Sequence, residues 1–594
     1  MDLGKVEWFR PLPVLMAFFL VVLGVSPALS QGFPAGQGVP GGTREEIAPE
    51  PRVDPRATTR DDVVPREERE EPAPTTTEDA LTFRLQGVNI TGSTVYTAAD
   101  FSELVESFVG TDVTLGSLRE IGNRIERKYR EDGYVATRVI IPPQAIKDGI
   151  PTLEIFEGKI VHYEINGEIG DVKKLIARYL DNLLTDKPAR WKDLERYLLI
   201  SRDLPGISLT GTLRSAGDSA PGGVILVVDA ARKAVDGYVN IQNRNAEVTG
   251  PWTLSGGLSL NSNTEYGERL GTVGLVSLQE FEPVVEDKPL EQMSLFFLYE
   301  HAFGDEGLRL KLSSTIGFAK PGNELAPLKL ETDTYVFRAE LEYPAIRTRE
   351  FSLWTRGGVD TADQRAVVAE NALFDDQVRA MFLGLSGVWF APLGGVTEFD
   401  VEFRQGFDSF GGRKFIKSRV PAPPGADNSS RADARFDFTI VKGSFSHRQP
   451  IPPFFELFFD VRGQYATKPV PSIEEWSLGT LSIGRGYEPG SITGDSGFGV
   501  IFEARFTPPG LDLWWLDSLQ FYGFMDFARA YDLGNPTNSR DGFEELLSIG
   551  FGTRFQVFET VVGDVYVAIP QIPALSTTTN TPDATVHMSL TKFF

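Results

Sequence analysis

Arg485 and Asp526 are the two residues whose types and settings most readily suggest chemistry. Arg485 stands in a glycine-rich run, Gly484-Arg485-Gly486-Tyr487-Glu488-Pro489-Gly490, and Asp526 in a strand-like run from Leu519 to Ala528. Strand side chains alternate between faces, so Leu519, Phe521, Met525 and Phe527 share one face while Gln520, Asp526 and Ala528 share the other. A carboxylate on the polar face of such a strand needs a cation. An arginine on a long loop that folds back supplies one through charge-assisted hydrogen bonds. The expected chemistry is that of a lock rather than a catalyst. Glu503 and Arg505, on one face of a neighbouring run, are expected to be ordinary charges of the polar side. No nucleophile–base constellation and no phosphate-binding loop occur. His162, His301, His447 and His587 are scattered without metal-ligand spacing. Asp427-Asn428-Ser429-Ser430 is expected to be a solvated loop rather than a cation site. Enzymatic activity, a cofactor and a metal are therefore not expected.

The elements that must position these charges are strands. Residues 234–594 contain no convincing helix and sixteen candidate strands of about ten residues, near 236–247, 252–262, 269–281, 291–302, 308–318, 334–344, 350–359, 380–391, 395–404, 434–447, 453–465, 499–507, 518–530, 544–558, 560–569 and 584–594. Leu308, Leu310 and Leu312 interleave with Arg309 and Lys311; Val561, Val565, Val567 and Ile569 interleave with Asp564, Tyr566 and Ala568. Sixteen antiparallel alternating strands predict a transmembrane β-barrel with a polar lumen. Soluble β-sandwiches are the competing architecture, but their outer faces carry more charge than these. The chain ends Leu590-Thr591-Lys592-Phe593-Phe594. An apolar-alternating last strand with an aromatic end suits an outer-membrane barrel, and Lys592 can snorkel to an interface.

Composition agrees. The 594 residues carry a formal charge of −24, which disfavours nucleic acid. Cysteine is absent, so an exported chain must be held by sheet closure and packing. Lys5 and Arg10, the apolar stretch Leu12 to Val25 and Ala28-Leu29-Ser30 read as a signal peptide over 1–30, with the mature chain beginning near Gln31. Residues 31–80 hold eight prolines, twelve acidic and six basic residues. Such a segment cannot bury enough surface to offset its ordering entropy, and it is expected to be a disordered linker without a long helix.

Between linker and barrel lie two small α+β modules. Residues 82–158 read as β-α-α-β-β, with a helix over Ser117–Asp132 whose buried stripe is Leu118, Ile121, Ile125 and Tyr129. Residues 160–230 repeat the order, an internal repeat of about 75 residues. Tyr134 is expected to pack in the first module's core.

Three pieces of this sequence are similar to the transporter component of two-partner secretion systems (TpsB; ShlB/FhaC/HecB-like), a branch of the Omp85 superfamily. Gly133-Tyr134-Val135-Ala136-Thr137-Arg138-Val139, with Pro142-Pro143-Gln144, Asp148-Gly149 and Glu157-Gly158, resembles the first polypeptide-transport-associated (POTRA) domain of these transporters. Arg485-Gly486-Tyr487 resembles the motif in their loop between barrel strands eleven and twelve, where the strand count independently places it. Phe524-x-Asp526 resembles their Phe-x-Asp-x-Gly motif on strand thirteen. Gly484 stands where valine is usual and is expected to loosen the loop; Ala528 stands where glycine is usual and leaves less room for the loop tip.

The resemblance implies two periplasmic POTRA domains and a monomeric sixteen-stranded outer-membrane barrel, surrounded by lipid and inserted by the barrel-assembly machinery with Phe594 as its signal. Its implied partner is an unfolded secreted exoprotein with an N-terminal recognition domain, bound by strand addition to a POTRA sheet edge and driven out by folding outside. An Omp85-type assembly factor for other outer-membrane proteins and a passive porin are the alternative functions. The former usually carries more POTRA domains, and the latter needs no periplasmic arm.

Overall fold

The computed structural model describes residues 66–67, 82–217, 222–278, 290–414, 429–431, 433–510, 513–533, 543–573 and 583–594. The expected signal peptide lies outside these residues, as does the linker apart from Arg66–Glu67.

Sixteen antiparallel strands close into one barrel. Numbered 1 to 16 in chain order, they are Val235–Gln242, Trp252–Asn261, Arg269–Leu278, Gln292–Phe303, Leu308–Ala319, Leu330–Arg347, Phe351–Val368, Asn371–Phe390, Val396–Gly406, Thr439–Ile451, Phe455–Ala466, Ser496–Phe506, Leu516–Tyr531, Phe543–Val557, Val561–Pro570 and Thr585–Phe593. Alternation produces two surfaces. Leu341, Val359, Leu383, Phe403, Phe521, Met525 and Phe551 face outward and are exposed, a belt that lipid would cover. Their neighbours Glu340, Glu342, Asp360, Arg404, Tyr522, Phe524 and Asp526 face inward and are buried. Strands 6, 7 and 8 run for 18, 18 and 20 residues, longer than the sequence pattern suggests. Their extensions, such as Asp375-Asp376-Gln377, are polar on both faces and give no apolar alternation.

Closure joins strand 1 to strand 16 over five residue pairs, from Tyr238 opposite Phe593 to Gln242 opposite Ser589. Asn240 secures the seam: its Nδ2 donates to Ser589 Oγ at 2.9 Å, Thr591 Oγ1 at 2.9 Å and the Leu590 carbonyl at 3.2 Å. The Gly237 and Phe594 main chains exchange hydrogen bonds of 3.0 and 3.1 Å. A Cβ on Gly237 would meet the Phe594 ring at 2.6 Å, so the terminal ring lies over a glycine.

The first N-terminal unit packs the 17-residue helix Leu115–Glu131 on a three-stranded sheet of Asn89–Thr91, Thr152–Phe156 and Arg138–Ile140. Leu118, Ile121, Ile125 and Tyr129 are buried together with Leu153 and Ile155. Two glycines are fixed by close approach: a Cβ on Gly158 would lie 2.1 Å from the Ala136 carbonyl oxygen, and one on Gly149, at φ +68°, 2.3 Å from that of Arg84.

The second unit packs helices Lys173–Asp181 and Trp191–Arg202 on strands Lys159–Asn166, Ile207–Ser215 and Gly223–Arg232. Its sheet gains a fourth member, Arg66–Glu67, paired in parallel with Thr212 and Leu213. Within the expected disordered linker, these two residues are therefore ordered on a sheet edge, where main-chain pairing operates without apolar side chains.

The units are hydrogen-bonded in series. Trp191 N–H donates to the Gly133 carbonyl and Ala189 N–H to that of Gly158, each at 2.8 Å. Arg190 donates to the Tyr134 hydroxyl at 2.9 Å and covers its ring. Tyr134 is thus a core residue whose polar end also reaches the second unit. That unit is fastened to the barrel rim by a buried bidentate pair, Arg347 with Asp203 at 2.8 and 2.9 Å, and by Arg349–Glu195 at 2.8 Å and Arg196–Glu306 at 3.0 Å.

Candidate functional site

Most loops run over a protein's surface. The connection between strands 11 and 12 does the opposite: residues 470–480 are buried without a break, and 483–487 are buried again. It is folded into the barrel as a hairpin with stem strands Trp476–Leu478 and Ile492–Gly494. Trp476, Leu478, Ile483, Tyr487 and Ile492 of the loop pack against Ile501, Ala528, Ala530 and Leu546 of the wall. Hydrophobic burial holds the loop against that wall before any charge is considered.

Arg485 sits at the tip. Its Nε and Nη2 donate to the two oxygens of Asp526 at 2.9 and 2.7 Å, and its backbone N–H donates to Asp526 Oδ2 at 3.0 Å. Its Nη1 donates to Glu503 at 2.6 Å, and the guanidinium lies 3.7 Å from the centre of the Phe524 ring. Phe524 and Asp526 share the inward face of strand 13, two residues apart, so one presents a π-face and the other a carboxylate to the same cation.

Glu503 is more than an ordinary lumen charge, which corrects the sequence expectation. It also accepts from both terminal nitrogens of Arg554, at 2.8 and 2.9 Å, and from Arg505 Nε at 2.8 Å. Arg505 in turn reaches Glu456 at 2.7 Å. Three arginines therefore face three carboxylates (Asp526, Glu503 and Glu456), and Arg554 also lies 3.9 Å from Asp564, which pairs with Arg244 at 2.8 Å. The sequence signal for this network was spacing: Glu503 and Arg505 are two apart on strand 12, so they share its inward face beside strand 13.

The rest of the tip is fitted sterically. A Cβ on Gly486 would lie 2.9 Å from Pro570 N and 3.1 Å from Ser548 Cβ. The Tyr487 hydroxyl donates to the Ile572 carbonyl at 2.6 Å and accepts from the amides of Ile572 and Leu547 at 3.2 and 3.3 Å. Gly484, expected to loosen the loop, stands where backbone and packing both call for glycine. It takes φ +112°, where a side chain is strained, and a Cβ would meet Leu546 Cδ1 at 2.9 Å. Ala528 is fully buried beneath Ile483, so the tip accommodates its methyl.

The sequence-selected POTRA residues are separate from this site. Gln144 continues the sheet ladder, its side chain accepting from Thr152 N–H and donating to the Thr152 carbonyl, both at 2.7 Å. Gly149 and Gly158 are steric, Gly133 supplies a carbonyl to the second unit, and Pro143 lies exposed beside Gln144. Asp427 and Asn428 fall outside the described residues. Their neighbours Ser429 and Ser430 are not simply solvated, because both donate to the buried carboxylate of Asp376.

Two family models match this sequence. The POTRA domain, ShlB-type, matches residues 83–158, and haemolysin secretion/activation protein ShlB/FhaC/HecB matches residues 222–555, more than half of the chain. The chain belongs to the ShlB/FhaC/HecB family of secretion transporters. It is 24% identical over 483 residues to the heme/hemopexin transporter protein HuxB of Haemophilus influenzae, covering 79% of this chain and 80% of the relative. It is 22% identical over 188 residues to the outer membrane transporter CdiB of Escherichia coli, 30% of each chain. The structure of CdiB from Escherichia coli superposes with a TM-score of 0.67 at 17% identity, covering 88% of this chain and 93% of that one. CdiB from Acinetobacter baumannii superposes at 0.59 and 15% identity, covering 90% and 95%. Both solved barrels share the fold described above. The transporter is thus a two-partner secretion pore of the Omp85 superfamily, set in the bacterial outer membrane with its POTRA region in the periplasm. The assembly-factor alternative falls away.

Proposed function

We propose that this transporter captures one unfolded exoprotein through the N-terminal recognition domain of that cargo, by strand addition to a POTRA sheet, and passes it outward through the barrel as a monomer. The loop carrying Arg485 occupies the lumen at rest and yields to the cargo. Its burial from 470 to 480 supports this reading most strongly, since a loop packed against the inner wall takes up space that a translocating chain would need. Arg485 is the lock. Asp526 and Glu503 are its keepers, Phe524 is its platform, and Gly486 and Tyr487 seat the tip against strands 14 and 15.

The first POTRA sheet ends at strand Arg138–Ile140, flanked by exposed Ile140, Ile146 and Ile150. Main-chain pairing there supplies affinity and the apolar side chains supply contact area for an extended segment. Glu126 holds the Val139 N–H at 2.8 Å, and an incoming strand would replace that one bond. Phe594, which pairs with Gly237 at the seam, is the residue we assign as the signal for the barrel-assembly machinery.

Deleting 82–158 tests the recognition arm. Cargo secretion should be abolished while the barrel still reaches the outer membrane. Undiminished cargo in the medium would refute the role given to this domain.

A further inference from the structure

The Arg485 network holds only the tip of the inward-folded loop. About ten residues earlier in the chain, a second buried ion cluster ties the same loop to another part of the wall. Glu474 ends the short 3₁₀ turn Ser472–Glu474. Its two oxygens accept from Arg404 Nε and Nη2, both at 3.0 Å. Arg404 on strand 9 also grips Asp360 on strand 7, with Nη2 to Oδ1 at 2.6 Å and a second contact from Nη1. The side chains of Arg404, Asp360 and Glu474 are exposed by 1%, 0% and 0%.

The wall is built for this reach. Asp360 and Arg404 lie two strands apart, and the strand 8 residue opposite Asp360 is Ala380, whose methyl leaves the guanidinium room to cross. Arg338, opposite Asp360 on strand 6, stacks at 3.5 Å on Phe382, which is itself opposite Arg404. Around Glu474 the backbone is pinned as well. Gln464 donates to the Glu474 carbonyl at 2.9 Å, Ser472 N–H donates to Ser430 Oγ at 2.9 Å, and Val470 and Ile473 are fully buried against Phe436, Phe438, Val378 and Ala380.

The polarity is the reverse of that at the tip. There the loop brings the cation and the wall the carboxylates; here the loop brings the carboxylate and the wall the cation. We propose that Arg404 and Asp360 form with Glu474 a second, independent latch, so that the loop is strapped across the lumen at two sectors of the wall and clears the channel only when both release. This rests on the reading of the loop as the obstruction to be cleared. It adds that breaking Arg485 alone leaves the strap tethered at its base.

Two independent latches make the odds of opening multiply, whereas two halves of one bond do not. Purified full-length variants are reconstituted in planar bilayers, and the open fraction is compared for wild type, Glu474→Ala, Arg485→Ala and the double variant. Glu474→Ala is tolerable electrostatically because Arg404 keeps Asp360. Heat-modifiable gel mobility verifies a closed barrel, and Glu474→Gln serves in parallel should the alanine variant misfold. The chain lacks cysteine, so Ser472→Cys gives a background-free label site whose maleimide reactivity reports departure of the strap base.

The expected result is that Glu474→Ala raises both open odds and labelling, and that the double variant raises the odds by the product of the two single effects. No change from Glu474→Ala in either background, or no further change when it is added to Arg485→Ala, overturns the second latch. Because neither readout involves cargo, a latch that operates in bilayers while secretion is indifferent to the loop would instead refute the gating role given to the loop.

Discussion

Arg485 closes on Asp526 with both its side chain and its own main chain: Nη2 lies 2.7 Å from Oδ1, and the backbone N–H donates to Oδ2 at 3.0 Å. A single carboxylate therefore fixes the position of the guanidinium and the path of the loop beneath it. Arg485→Ala removes the first function and keeps the second. Asp526→Ala removes both.

Each of these substitutions is expected to reduce secretion strongly and alter conductance without preventing barrel insertion. Removing one member of a buried pair costs about 3–5 kcal/mol, and the second removal then costs little more. The double variant should be scarcely worse than Asp526→Ala in a cargo-secretion assay. Additive losses would show that the two residues act separately.

Glu503 serves three arginines, so Glu503→Gln should destabilise the barrel more than Arg485→Ala does. The loss is expected to exceed about 3 kcal/mol, because Arg485, Arg505 and Arg554 each lose one buried anionic partner. The temperature at which the folded species disappears in heat-modifiability gels measures it. Equal shifts for the two variants would contradict the shared-anion arrangement.

The pair Arg347–Asp203 joins the second N-terminal unit to the rim in a nearly solvent-free setting, with side-chain exposures of 6% and 4%. Asp203→Asn should loosen that joint. Spin labels on Thr210→Cys and Leu393→Cys, in an otherwise cysteine-free chain, should show a distance distribution that broadens in the variant. An unchanged distribution would mean that Arg349–Glu195 and Arg196–Glu306 suffice.

In the first POTRA domain, burial works to raise the Glu157 carboxyl, but hydrogen bonds from Thr94, Tyr129 and the Val95 and Thr94 amides outweigh it and hold it below its ordinary value of 4.5. A depressed carboxyl contributes stability that is present above the unfolded value and lost as pH falls through the folded one. The protection factors of the Thr94 and Val95 amides, measured against the intrinsic exchange rate at each pH, should therefore fall below about pH 4.5 in the wild type and lose that dependence in Glu157→Gln. A wild-type profile in the variant would refute the assignment.

The barrel was legible because lipid enforces strict alternation. The residues over which Leu308, Leu310 and Leu312 alternate with Arg309 and Lys311 form a strand from Leu308 to Ala319. Alternation fades where strands leave the bilayer, which is why the outer halves of strands 7 and 8 were missed. Asp526 and Arg485 were legible because each lies in a distinctive local run. Glu474 was not: Ser472-Ile473-Glu474-Glu475 looks like any polar loop, and only the fold brings it to Arg404. Glu503 was placed on the correct face but without its partners, since spacing reveals a face and not the neighbours across it. Arg66–Glu67 escaped because edge pairing uses main-chain groups, which composition does not report.

The second N-terminal unit meets the rim through Glu306 and Arg349, on the turns joining strands 4 to 5 and 6 to 7, and through Arg347 at the end of strand 6. That attachment breaks the circular symmetry of the mouth. A polypeptide bound on that unit would be delivered to one flank of the mouth rather than along the barrel axis.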